Sequence, residues 1–226
     1  MDQDLHDPGR DFRALLRSQR VWDTTLPAFD PTDVPDAPLA LFHRWFVEAC
    51  TAGQPEPHTM SLATVDERAR PDVRTVMLHD ADAEGWHFAT HSTSAKGRQL
   101  AVTPEAALGF YWSVQGRQVR VRGTVTATDS AQGLADLHAR STGALAAALT
   151  GRQSEVLGSL AELDRVSRAA WERARTEPDA PVPSWTRYVV APREVEFFQG
   201  DAERRHVRLR YRGGPGRGWQ RELLWP

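Results

Sequence analysis

Lys96 is the only lysine in a chain of 226 residues that carries 28 basic side chains, and the chain also lacks Ile and Asn. That bias has drawn every other basic position to arginine. A position that resists the drift suits a site needing a compact ammonium rather than a planar fork; the competing reading is a surface lysine that survived by chance. Around it, Thr90-His91-Ser92-Thr93-Ser94-Ala95-Lys96-Gly97-Arg98 gathers hydroxyls, a helix start and one ammonium. Backbone N–H groups at a helix start, Ser/Thr hydroxyls and a cation together can cradle a phosphate without a Walker glycine pattern. A Ser/Thr cluster before a helix also serves simply as an N-cap.

Three other stretches could share in such chemistry. A strand over 73–79 puts Arg74, Val76 and Leu78 on one face and Thr75, Met77 and His79 on the other, and an arginine there needs a partner. The stretch Gly116-Arg117-Gln118-Val119-Arg120-Val121-Arg122-Gly123 reads most plainly as a two-sided strand with solvated arginines. After Glu196-Phe197-Phe198-Gln199-Gly200, the residues Arg204, His206 and Arg208 alternate. Shared on one strand face beside aromatic rings, they suit an anion or an aromatic-ring ligand better than a solvated edge.

The elements that must position these residues follow from periodicity and punctuation. Residues 1–34 form an arm with a short helix near residues 12–16. From Asp36 a helix is expected, with Asp36 as cap, Pro38 in the first turn, and Leu39, Phe42, Trp45, Phe46 and Ala49 on one face. Strands are expected over 59–65, 73–79, 86–90, 107–112, 118–128, 186–190, 194–198 and 206–211, with 219–224 as a hairpin partner across Gly213-Gly214-Pro215-Gly216. A short helix opens at Thr93 or Ser94, and residues 130–176 read as two or three helices closed by Pro178, Pro181 and Pro183. Strands around a helical insertion, without βαβ alternation, predict a mainly β fold with helices (α+β): an antiparallel barrel with helices packed outside. The expected organisation is an arm over 1–34 and one domain over 35–226 that includes the insertion.

Composition bounds the function classes. With 40% hydrophobic and 26% charged residues, a disordered chain, a collagen repeat and a disulfide scaffold are excluded. A net charge of −2 and a pI near 6.4 argue against a general nucleic-acid binder. Cys50 stands alone, so neither an intrachain disulfide nor a multi-cysteine metal site can form. His6, His43, His58, His87 and His138 lack metal-ligand spacing to one another and read as surface or packing residues, and no metal is expected. Trp45, Trp112, Trp171 and Trp185 read as core or interface. The acidic start Met1-Asp2-Gln3-Asp4-Leu5 lacks a signal-peptide pattern, and no apolar run approaches the ~18 residues of a span, so a cytoplasmic protein without membrane or nucleic-acid partners is expected.

Taken together, the marks resemble the pyridoxamine 5'-phosphate oxidase family of FMN-dependent split barrels over roughly residues 38–226. They are Leu62-Ala63-Thr64-Val65-Asp66, the Arg74-to-Leu78 strand, Ser94-x-Lys96, Arg117-Gln118-Val119-Arg120-Val121-x-Gly123, Arg152-Gln153-Ser154, Glu196-Phe197-Phe198-Gln199-Gly200 and Arg204-x-His206-x-Arg208. The resemblance implies a homodimer with two FMN sites at its interface, formed by C-terminal dimerisation strands. It makes Arg74 and Lys96 FMN-phosphate ligands helped by Thr90 and Ser94, with Thr75, Val76, Met77 and Leu78 along the cofactor. Gln118 and the Gln153-Ser154 pair would complete the site from across the interface. Phe198 and Arg208 would lie by the flavin ring, and Arg204 and His206 would be the catalytic pair facing substrate.

The departures from the family matter as much. His79 stands where the vitamin enzymes of the family hold the substrate phosphate with lysine, Asp136 replaces their tyrosine and Ala144 their serine, so only Arg140 survives of that clamp. Ala95 and Phe198 stand where Arg and Trp are usual. Loss of three donors plus a gained carboxylate should cost several kcal/mol of phosphate binding, as an order of magnitude. The resemblance therefore leans to the phenazine-biosynthesis branch, whose substrate is a phosphate-free tricyclic acid. The wording of residues 90–98, of Arg152-Gln153-Ser154-Glu155 and of Leu26-Pro27-Ala28-Phe29 leans the same way. The expected function is an FMN-dependent oxidase of a planar nitrogen heterocycle, with dioxygen as acceptor. The alternatives are a pyridoxine/pyridoxamine 5'-phosphate oxidase with a rebuilt clamp and a flavin-binding protein without turnover.

Overall fold

The computed structural model describes residues 12–22, 25–128, 130–214, 216 and 218–226. The acidic start, His6 and Pro215 of the expected hairpin turn lie outside them. After a short arm helix α1 (Phe12–Ser18) comes α2 (Pro38–Thr51), whose apolar face drives its placement: Leu41, Phe42, Trp45 and Ala49 are buried. Its N-cap is Ala37, with no side-chain hydrogen bond, so Asp36 does not cap it as expected; Pro38 at the first turn sets the start.

The strands are β1 (Thr59–Val65), β2 (Pro71–Met77), β3 (Asp80–Ala81), β4 (Trp86–His91), β5 (Glu105–Trp112), β6 (Arg117–Ala127), β7 (Trp185–Gln199), β8 (Val207–Gly214) and β9 (Gly218–Leu224). They form one sheet in the order β2-β1-β5-β6-β7-β4-β3, with β8 on β7 and β9 on β8, and every pairing is antiparallel. The two strands expected over 186–190 and 194–198 are one long strand. It runs on because β6 pairs along nearly all of it, with a bulge at Arg122/Gly123. There a Cβ on Gly123 would lie 1.9 Å from the Ala191 carbonyl oxygen, so only glycine lets the sheet bend at this point.

Period-two alternation sends Met60, Leu62, Leu108, Phe110, Trp112, Val119, Val121, Val195 and Phe197 into one core. α2 plugs it: the Phe42 ring meets Trp86 at 5.3 Å and Phe110 at 5.1 Å. Truncating such a ring to Ala costs about 3–5 kcal/mol. The insertion forms α4 (Ser130–His138), α5 (Thr142–Leu149) and α6 (Leu160–Thr176), with a smaller core of Leu137, Leu145, Ala146, Ala148, Ala174 and Val182. A further helix, α3 (Ala95–Val102), follows β4. Among the described residues no helix is long and apolar enough to cross a membrane.

Candidate active site

α3 starts where its sequence says it should. Ser94 is the N-cap, accepting from the Gly97 N–H while donating to the His91 carbonyl. A Cβ on Gly97 would lie 2.3 Å from the Ser92 carbonyl oxygen, so glycine is what lets this turn fold tightly onto the end of β4. The result buries Lys96 to 7% exposure.

The Lys96 ammonium meets neutral oxygens: Thr90 Oγ1 at 3.2 Å, Ser94 Oγ at 3.5 Å and Gln153 Oε1 at 2.9 Å. Among the described residues no carboxylate lies within ion-pair distance of it. Burial, then the charge of Arg74, pull its pKa below the usual lysine range. The Ser154 hydroxyl accepts from the Ala95 N–H at the helix start, 3.2 Å away. Gln153 and Ser154, expected from a partner chain, therefore reach Lys96 and Ala95 within their own chain, because the segment after α5 folds back over α3.

These groups open on a cavity of about 610 Å³, within the usual range for small-molecule sites. Arg74, Thr75, Val76 and Met77 of β2 form one wall, α5 supplies Ala144, Ala147 and Ala148, and Thr90, Lys96, Gln153 and Ser154 close one end. Arg74 is already engaged: it donates to Thr64 Oγ1 at 2.6 Å, Asp72 Oδ2 at 2.5 Å and Gln99 Oε1 at 3.1 Å. Lys96, not Arg74, is the cation left facing neutral partners.

The other end holds His79 and Arg140, with His79 roughly 15 Å along the chain from Arg74. β2 ends at Met77, so Leu78 and His79 lie just past the strand instead of inside it, and Leu78 is off the wall. The Arg140 Nε and Nη2 donate to both oxygens of Asp136, at 3.1 and 3.4 Å. Asp136 Oδ2 also stands 3.3 Å from His79 Nδ1. Asp136 is thus neutralised, not a free repelling charge. Burial, and after it the charge of Arg140, lower the His79 pKa to about 4, so its imidazole is neutral near pH 7.

Gln118, Phe198, Arg204, His206 and Arg208 do not line this cavity. Nor do Arg204, His206 and Arg208 share a strand face: β8 begins at Val207, and Arg204 sits in the preceding turn with φ 66°. Arg208 donates to Glu196 Oε1 and to the Trp225 carbonyl, both at 2.9 Å. The Phe198 and His206 rings lie 5.1 Å apart, and Trp22 of the arm packs on both, at 6.2 and 5.2 Å. Arg117, read as solvated, is buried under Trp45 at 4.3 Å and paired with Glu48.

Sequence reasoning missed two aromatic residues. Trp22 lay in an arm without periodicity, and Gly200, whose added Cβ would stand 2.8 Å from the Trp22 ring, was its one signal. Trp185, read as core or interface, does pack on the smaller core but is also cavity wall, a second role signalled only by its place at the start of β7, opposite His91 of β4. Outside the cavity, Asp82, Glu84 and His87 bring possible ligand atoms within 4.8 Å of one another. Asp82 is already committed to His87 and to the Glu84 and Gly85 N–H groups.

The sequence model of the pyridoxamine 5'-phosphate oxidase family matches residues 46–170, and that of the pyridoxine 5'-phosphate oxidase C-terminal dimerisation region matches residues 185–226. The chain belongs to the pyridoxamine 5'-phosphate oxidase family. The pyridoxine/pyridoxamine 5'-phosphate oxidase of Pseudomonas savastanoi pv. phaseolicola is 40% identical over 207 residues, 90% of this chain and 95% of that one. Its counterpart from Burkholderia ambifaria is 42% identical over 184 residues, 81% and 86% of the two chains. PhzG from Burkholderia lata 383, solved in complex with tetrahydrophenazine-1-carboxylic acid, superposes with a TM-score of 0.82 at 30% identity, covering 90% of this chain and 98% of that one. A pyridoxamine 5'-phosphate oxidase-related, FMN binding protein from Nostoc punctiforme shares the fold, with a TM-score of 0.68 at 21% identity over 85% and 100% of the chains. In this oxidase family member the matched dimerisation region spans β7 to β9, the strands around Phe198, Arg204, His206 and Arg208.

Proposed function

We propose that the protein is an FMN-dependent oxidase of a planar, phosphate-free nitrogen heterocycle of the phenazine-precursor type, with dioxygen as acceptor. The observation that carries the substrate class is the His79 end of the cavity. Arg140 is neutralised by Asp136 and His79 is neutral, so nothing on that wall offers the net positive charge a phosphate dianion needs when it leaves water. The likeness to PhzG with its bound tricyclic acid supports the same reading. Pyridoxine/pyridoxamine 5'-phosphate oxidation is the second reading, favoured by the 40% identity to curated oxidases of that name.

The donor set at the Lys96 end fits FMN. A buried ammonium among neutral oxygens, with Thr90 and Ser154 hydroxyls and a helix start beside it, suits one terminal phosphate monoester. In this reading Lys96, Thr90, Gln153 and Ser154 hold that phosphate, Ser94 fixes the turn beneath it, and Arg74 to Met77 run along the rest of the cofactor. Bound FMN supplies the two-electron acceptor that the protein's own side chains lack. Ala144, Ala147 and Ala148 keep the opposite wall thin enough for a flat ring.

Gln118, Phe198, Arg204, His206 and Arg208 would complete the cavity of a second copy, which is why the functional unit is read as a cytoplasmic homodimer. There Arg204 and His206 would orient the substrate. The arm over 1–34 and a single domain over 35–226 complete this reading. The test is direct: purify the protein, record its visible spectrum, then measure oxygen uptake with tetrahydrophenazine-1-carboxylic acid and with pyridoxine 5'-phosphate. A flavin spectrum with uptake on the acid alone is expected. Uptake on pyridoxine 5'-phosphate with a micromolar KM favours the vitamin reading, and a flavin without turnover on either favours a binding protein.

A further inference from the structure

The connection from β7 to β8 presents Arg204 and His206, and its root is rigid. Gln199, the last residue of β7, is buried and fixed at both ends of its amide: its Oε1 accepts from Arg117 Nε and its Nε2 donates to the Gln115 carbonyl, both at 2.9 Å. On the sheet it pairs with Val207, where β8 begins. Residues 200–206 close the hairpin between them.

Asp201 organises that connection. Its Oδ1 accepts from the Glu203 N–H at 2.8 Å and from the Arg205 N–H at 3.2 Å, while its carbonyl accepts from the Arg204 N–H at 3.0 Å. Arg204 is thereby tied on both sides, at its own N–H and at the next. It is exposed and holds φ at 66°, and a non-glycine residue keeps such a left-handed backbone only where its surroundings over-determine it. A turn that needed nothing but closure would favour glycine there.

The same residue sets the ring of His206. The Asp201 N–H donates to His206 Nδ1 at 3.1 Å. A nitrogen that accepts carries no proton, so in the neutral ring the proton sits on Nε2. Phe198 and Trp22 pack against that ring at 5.1 and 5.2 Å and hold its plane. Arg204 and His206 thus offer donors alone, the guanidinium and the Nε2–H.

We infer that Asp201 is a positioning residue that sets Arg204 and His206 as a pair of hydrogen-bond donors toward the substrate. The inference rests on the reading that these two residues complete the cavity of a second copy. The substrate group they meet is an acceptor, a carboxylate or an unprotonated ring nitrogen of the heterocycle. His206 serves there as a donor and not as a base.

The test uses the FMN-loaded protein with isotope-labelled histidine, read by nitrogen NMR, and titrations of phenazine-1-carboxylate and pyridoxine 5'-phosphate followed by flavin absorbance. In the parent, His206, assigned by its loss in His206→Asn, should show a bare Nδ1 and a protonated Nε2. Asp201→Ala removes two hydrogen bonds of the turn, so His206 should exchange between tautomers. The acid should then bind about tenfold more weakly, the scale of one charge-assisted hydrogen bond, with FMN retained within about twofold. Asp201→Asn keeps an acceptor at Oδ1 and should restore both tautomer and affinity. A parent proton on Nδ1, or an Asp201→Ala variant indistinguishable from the parent, overturns the role. So does Asp201→Asn as weak as Asp201→Ala, which would assign the effect to charge. A tautomer lost in Asp201→Ala with both ligands bound as before overturns the placement of Arg204 and His206 at the substrate. A loss confined to pyridoxine 5'-phosphate keeps the positioning role and overturns the phosphate-free function, so the failures are told apart.

Discussion

The two ends of the cavity handle charge in opposite ways. At one end Lys96 is 7% exposed and faces the oxygens of Thr90, Ser94 and Gln153, all neutral. At the other, Arg140 and Asp136 cancel and His79 carries no charge near pH 7. A buried cation whose direct contacts are all neutral, with the Asp72 charge acting only from beyond contact, is stable only where burial is incomplete or an anion arrives. The first end is therefore built to receive a phosphate, while the second has already settled its charges internally. One cavity thus separates binding of a charged cofactor tail from binding of a flat ring.

The sharpest way to break this contrast is to make the second end resemble the first. Asp136→Tyr with His79→Lys removes the carboxylate that occupies Arg140 and adds an ammonium. Two charge-assisted donors are worth about 1.5–3 kcal/mol each, so kcat/KM for pyridoxine 5'-phosphate should rise by roughly 100-fold or more. Oxygen uptake measures it. A double variant no better than the parent would show that the substrate end does not discriminate through these residues.

The converse change empties the first end. Lys96→Ala should weaken FMN binding by about 1.5–3 kcal/mol, read by fluorescence titration, with pyridoxine 5'-phosphate turnover no better than before. Lys96→Arg should restore little, since a planar fork cannot take the place of a compact ammonium in so buried a setting. FMN retention equal to that of the parent would remove Lys96 from the cradle.

A third expected outcome concerns how the cavity is completed. Light scattering at micromolar concentration with FMN bound should give twice the 25.3 kDa chain mass. A monomer that still oxidises substrate would mean that Phe198, Arg204, His206 and Arg208 take no part, because within one chain they lie off the cavity.

Legibility in the sequence divides along the same line. The Lys96 end could be read because its parts are local: a cap, a glycine and a cation within a few residues, and β1 runs over 59–65 as periodicity predicts. The registry of Gln153 and Ser154 could not be read from pattern alone, since a loop after α5 folding back on α3 is a tertiary event. The same holds for Arg74, whose Thr64 partner lies on the neighbouring strand and whose Asp72 and Gln99 partners are fixed only by folding. The single β7 was misread as two strands because Ala191-Pro192 interrupts the alternation, and the compensating bulge lies on β6.

The smallest expected effect is a pH dependence that separates burial from charge at the His79 end. An unfolded chain protonates this histidine near its ordinary pKa of 6.5, whereas in the folded protein burial, and after it the charge of Arg140, lower that value to about 4. Between those values the unfolded state holds the extra proton, so stability is complete above pH 6.5 and falls as pH drops toward 4. The slope from this group is at most about 1.4 kcal/mol per pH unit, and the total is about 3 kcal/mol. His91, also lowered by burial and by Lys96, contributes with the same sign, so the His79 share is isolated by difference. His79→Gln keeps a polar group beside Asp136 but cannot titrate. Urea unfolding of parent and variant at intervals from pH 4 to 7 should therefore give curves whose separation is constant near neutrality and shifts in the variant's favour as pH falls. Parallel curves across the whole window would mean that His79 is protonated in the folded protein as readily as in the unfolded chain. The His79 end would then carry a positive charge of its own in mild acid, and its contrast with the Lys96 end would hold only near neutral pH.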